Sequence, residues 1–167
     1  MKNLLFFLVC ISMLACSDGE LQIEAIDFDD EALDFCGTAT TQTTLLFKLK
    51  ESEALILDLQ SGLLQNEVSG DTLESPIPGQ SQLIYRILSE DVSDAYFCDP
   101  IPPVVPSVVE EIPAETGTVY IFTSRNASDT TLFEHRIWFK DVSFVNQAGE
   151  RLTNLTVEEF GTLQTSN

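Results

Sequence analysis

Histidine occurs once in this chain, at position 135, tryptophan occurs once, and basic residues number eight against 27 acidic ones. Each shortage closes off a class of function. A nucleic-acid-binding surface needs a stripe of Lys and Arg to neutralise phosphates, and none exists here. The same deficit argues against capture by anionic lipid head groups. Histidine does most general-base work and here stands alone, and with no CxxC spacing beside it there is no zinc ligand set. Gly-rich phosphate loops and dinucleotide fingerprints are absent as well. Asp129 and His135 accompany Ser124 and Ser128, but no GxSxG elbow surrounds either serine. No segment carries a sustained apolar stripe of period 3.6, so little helix is expected.

What is present, first of all, is an oily start. Met1-Lys2-Asn3 carries one positive charge, and Leu4 to Leu14 is then apolar except for Ser12. A helix of that length reaches roughly 16 Å, about half the thickness of a hydrocarbon core. A charged start, a short apolar core and a small residue, Ala15, describe a secretory signal over residues 1–15 rather than a membrane span.

Met13-Leu14-Ala15-Cys16 resembles the lipobox of bacterial lipoproteins, with Met13 where Leu is usual. The resemblance implies cleavage before Cys16 and acylation of that cysteine. Stable anchoring takes two or more lipid signals, which two or three acyl chains on one residue supply. Ser17-Asp18-Gly19-Glu20 resembles the acidic export signal that sends Bacteroidota-type lipoproteins to the outer face of the outer membrane. The expected organisation is a signal over 1–15, an anchored acidic tether over 16–24 and one folded domain over 25–167. Its expected address is the outer membrane, exposed at the cell surface.

Losing the signal removes Lys2 and no acid, which deepens the −19 formal charge of the whole chain by one unit. Acidity on this scale reports solubility and self-repulsion. Of four cysteines, Cys10 leaves with the signal and Cys16 takes the lipid, so Cys36 and Cys98 remain. In an oxidising compartment that pair is expected to form a disulfide, with a two-ligand metal site as the alternative.

Beyond the tether, alternation with period two recurs, which is the strand signature. In "TLLFKLK", Leu45, Phe47 and Leu49 share one face while Lys48 and Lys50 share the other. "ALILDLQ" aligns Leu55, Leu57 and Leu59 three residues further on, close enough for a hairpin. "LIYRIL" at 83–88 is apolar on both faces except for Arg86 and reads as a central strand; "TVYIFTS" at 118–124 is similar. "LFEHRIWFKDVSFV" places Phe133, His135, Ile137 and Phe139 on one parity but Phe144 on the other, which predicts a bulge or bend near Lys140-Asp141. Residues 60–82 read as a polar loop with room for a short strand, and "LTNLTV" reads as a last strand. About seven short strands with turns between them predict an all-β fold, a single antiparallel β-sandwich, with a β-barrel as the alternative.

Two segments are candidates for function. "CDPIPPVVPSVVEEIP", residues 98–113, holds five of the seven prolines, including Pro102, Pro103 and Pro106, and sets Val104 and Val105 among them. Proline cannot donate to a ladder, so the stretch is expected to be extended or edge-like. It reads either as a crossover laid against the sandwich or as a docking segment for a partner. In "DFDDE", Asp27, Asp29 and Glu31 alternate like the opening of a calcium loop, which would make Ca2+ the one cofactor to consider. Ala32 stands at the sixth position, where the turn requires Gly, and Thr38 at the twelfth, where Glu belongs. The segment therefore reads more as a solvated linker. Adjacent carboxylates such as Glu110-Glu111 are too common among 27 acids to single out a hydrolase. The expected function is a non-catalytic binding or structural module of the cell envelope with a protein or glycan partner. A surface hydrolase using carboxylates and a small-ligand carrier are the alternatives.

Overall fold

The computed structural model describes residues 26–146, 148–149, 151–152 and 159–166. Among these, nine strands and one helical turn follow one another along the chain. They are β1 (Asp34–Phe35), β2 (Leu45–Lys50), β3 (Glu53–Asp58), β4 (Leu73–Ile77), β5 (Gln82–Leu88), α1 (Ala95–Cys98), β6 (Val108–Arg125), β7 (Leu132–Val145), β8 (Arg151–Leu152) and β9 (Glu159–Ser166). All pairings are antiparallel, and the strand order β1-β2-β3-β5-β6-β7-β8 does not close on itself. The fold is therefore the all-β sandwich that the alternation predicts, not a barrel. No helix among the described residues is long and apolar enough to cross a membrane. The expected signal over residues 1–15 and the expected lipidation site Cys16 lie outside the described residues.

One long strand, β6, serves both layers. β6 pairs with β5 through Val108–Pro113 and with β4 through Gly117–Ile121, so it changes neighbours between the two stretches. β7 follows it along its other side. The register slips twice at this crossing, so that Thr116 faces Ser143 while Thr118 faces Lys140. Asp141, inside the slip, has φ +56°, and Gly117 has φ +146°. A bulge at Lys140-Asp141 is what moves Phe144 onto the buried face despite its changed parity.

The main core lies between the layers and draws Leu55, Leu57 and Tyr85 from one, Ile121, Ile137 and Phe160 from the other. A second, smaller core covers the outer side of β2, β3 and β5. It is built from Phe47, Ala54, Ile56 and Leu88 under Tyr96, Phe97, Cys36 and Cys98. Phe47 stacks on Phe97 at 4.6 Å, and the Cys36–Cys98 disulfide closes the lid over a separation of 62 residues. Closing a loop of that size contributes about 4 kcal/mol in the chain-entropy model. This second core explains why these strands are apolar on both faces.

Lys48, on the parity opposite to Phe47, is buried, because that side of β2 looks into the main core beside Leu46. Two readings need correction. Residues 108–113 are not a proline-rich connection but the first third of β6, since Pro113 pairs only at its β5 side, facing Ile84. A terminal strand exists at β9, where the sequence shows no clean alternation: Gly161 and an extra residue at Phe160 interrupt the period against β7. Most of "LTNLTV" lies outside the described residues.

Candidate functional site

The most exposed apolar surface belongs to the segment between α1 and β6. Asp94 starts α1 by accepting from the Ala95 N–H, and Cys98 ends it in the disulfide. The chain then runs outward through Ile101, Pro102, Pro103, Val104 and Val105. Ile101 is 85% exposed and Val104 92%, while Pro106 is buried and fixes the return. Beyond Pro106 the Ser89 N–H donates to the Ser107 carbonyl at 2.9 Å, and the Ser107 N–H donates to Ser89 Oγ at 3.0 Å. The projecting loop is thus fastened at both feet, by a disulfide on one side and a serine pair on the other. Val108 and Val109 carry the apolar surface into β6, Val109 being 66% exposed. Exposed apolar side chains gathered on one fastened loop are the usual mark of a contact surface.

A second feature is a solvent-open cleft of about 550 Å³ between the 27–33 segment and the start of β9, lined by Asp29, Glu31, Lys48, Glu159 and Phe160 among others. At its floor Lys48 Nζ donates to the Phe28 carbonyl at 2.9 Å and lies 5.9 Å from the centre of the Phe160 ring. Burial pushes the Lys48 pKa below its ordinary value, opposed by the carboxylates of Asp29, Glu31 and Glu159. Lys50 Nζ donates to the Asp27 carbonyl at 2.9 Å. The two lysines of β2 therefore fasten the acidic segment to the sheet.

That accounts for the calcium-like spacing. The Asp27 carboxylate accepts from the Asp29 N–H at 3.2 Å, and Asp29 and Glu31 line the Lys48 cleft. Among the described residues, no three His, Cys, Asp or Glu side chains are grouped to hold a metal ion. The positive charge these acids face is an ammonium of the same chain. Glu159 in the cleft is invisible to sequence reasoning because it arrives from β9, over a hundred residues away.

His135 is fully buried, with Nδ1 2.8 Å from Thr123 Oγ1 and Nε2 2.8 Å from Thr165 Oγ1. Asn66 fixes the direction of this chain. Its Nδ2 donates to the Ser166 carbonyl, so its Oδ1 receives the Thr165 hydroxyl proton at 2.6 Å. Thr165 Oγ1 can then only accept from His135, which places the imidazole proton on Nε2, while Nδ1 accepts from Thr123. Burial holds the His135 pKa down at about 4. Both ring nitrogens are engaged and the ring is sealed from solvent, so His135 is no general base. Asp129 lies on the exposed turn instead, where its carboxylate accepts from Thr131 Oγ1 and N–H and its pKa falls accordingly. Ser128 N–H donates to Asn126 in that same turn. The Ser–His–Asp arrangement is not assembled.

On the outer face of the second layer, Tyr120 and Trp138 stack at 5.6 Å and Arg136 pairs with Glu159 at 2.8 Å. Phe122 beside them is partly exposed. This face is more polar and less projecting than the 101–109 loop.

The chain matches no protein-family model, no curated protein and no solved structure.

Proposed function

We propose that this protein is a lipid-anchored module of the bacterial envelope, held on the outer membrane through Cys16 and facing outward, that binds a protein partner through residues 101–109. The signal-like start and the lipobox-like Met13-Leu14-Ala15-Cys16 support the anchor, and Ser17-Asp18-Gly19-Glu20 supports the outward face. The observation that carries the binding role is the loop itself: Ile101 and Val104 are almost fully exposed on a segment whose two feet are fastened. Leaving such side chains in water forgoes about 1.5–3 kcal/mol each relative to burial. A loop already held in shape loses little further entropy when a partner covers it. Burial and engagement of His135 speak for a non-catalytic role.

The test is site-specific photo-crosslinking in living cells, with the photoreactive residue at Val104 and, as control, at exposed Lys140 of the other layer. A discrete adduct with a second protein is expected at 104 and not at 140. No protein adduct at 104, or the same adducts at both positions, removes the docking role.

A further inference from the structure

The charge pattern around the loop narrows what it binds. From Ile87 to Ser124 the sequence holds seven acidic residues and no Lys, Arg or His. Glu90, Asp91 and Asp99 stand exposed on the stretches that lead into the loop, and Glu110 stands where it enters β6. The Ser89–Ser107 pair brings Glu90 and Asp91 to the foot of the loop that Asp99, next to Cys98, flanks on the other side. The preceding basic residue in the chain, Arg86, is engaged by Glu111 in a salt bridge. The apolar tip of Ile101, Val104 and Val105 therefore stands beside a collar of exposed carboxylates, and among the described residues Glu90, Asp91 and Asp99 take part in no salt bridge.

We infer that the partner offers an apolar pocket rimmed by basic side chains, with the valine and isoleucine tip entering the pocket and the collar meeting the rim. This rests on the binding role proposed above and adds the chemistry of the other surface. Two other occupants fit worse. A second copy of this chain would bring the same acidic collar against its own, and like charges across an interface are repulsive. An anionic bilayer would repel the collar before the tip reached the hydrocarbon. A basic rim reverses the sign of both terms, and such complementarity acts mainly on association rate and is weakened by salt.

The test uses the full-length, lipid-anchored protein carrying the photoreactive residue at 104 in isolated envelopes. Adduct yield is compared at low and high ionic strength, and between this protein and a variant with Glu90→Gln, Asp91→Asn and Asp99→Asn. These three side chains are exposed, so the thermal midpoint of the variant is expected to stay where it was. The inference expects the protein adduct to fall on the order of tenfold with salt and with the triple substitution alike. A protein adduct whose yield responds to neither overturns the basic rim and leaves the docking role standing. No protein adduct under any condition overturns both. An adduct of twice the chain mass, or binding of the purified protein to phosphatidylglycerol vesicles, assigns the tip to a second copy or to lipid and overturns the inference.

Discussion

The single histidine shows how a residue type associated with chemistry is put to structural use. His135 shares the parity of Phe133 and Ile137, and that alone places it in the core. Its partners were not readable in the same way. Thr123 and Thr165 come from strands on either side of β7, and β9 carries no clean alternation to announce itself. The network has a consequence for pH. The folded state holds the ring neutral with a pKa of about 4, against 6.5 for an unperturbed histidine. The unfolded chain therefore binds the extra proton first as pH falls. The His135 contribution is complete above pH 6.5 and is lost between there and about 4, amounting to about 3 kcal/mol across the window. Urea midpoints measured from pH 7 to pH 4 are expected to fall more steeply for the natural protein than for His135→Gln. Parallel slopes would contradict the account of this site. Lys48 teaches the complementary lesson. Alternation sets it opposite Phe47 without showing that this side is covered, and there an amphipathic side chain near the rim of the core buries its stem and leads its ammonium to a carbonyl.

At the scale of elements, strands with clear alternation were readable almost to the residue, as β2, β3, β5 and β7 show. The bend in β7 was readable too, because a parity switch has few other causes. What period could not show is which neighbour a long strand takes along its length. β6 is one strand in the chain and belongs to two layers in space, and the residue that allows the change is Gly117. A Cβ there would stand 2.7 Å from Val142 Cγ2 and 3.1 Å from Val142 Cα, at a φ of +146° that side-chain-bearing residues avoid. Gly117→Ala is accordingly expected to cost about 1–3 kcal/mol in urea unfolding. Gly70→Ala, where nothing lies within 4 Å of the new atom, is the matched control and should stay close to the natural protein. Equal midpoints for the two variants would show that the crossing does not depend on this glycine. The proline-rich loop was half readable: its prolines predicted a break from the ladder, but its fastening by α1, the disulfide and the serine pair depends on contacts distant in sequence.

The whole molecule combines a sandwich with two cores and a strongly acidic composition, and we propose that its amino-terminal segment directs export. The apolar loop leaves the sandwich beside the second core, where Cys36 and Cys98 join the lid to its base. The anchor proposed at Cys16 would hold this body at a bilayer whose anionic head groups its net charge disfavours. Display of an acidic, lipid-held binding module at the cell surface is the central claim. It is tested most directly by protease treatment of intact cells, with disrupted cells as control and detection of the domain beyond Cys36. The account predicts that the domain is lost from intact cells and that Cys16→Ser leaves it protected there. Protection of the natural protein in intact cells, with digestion only after disruption, would place it inside the envelope and contradict the claim.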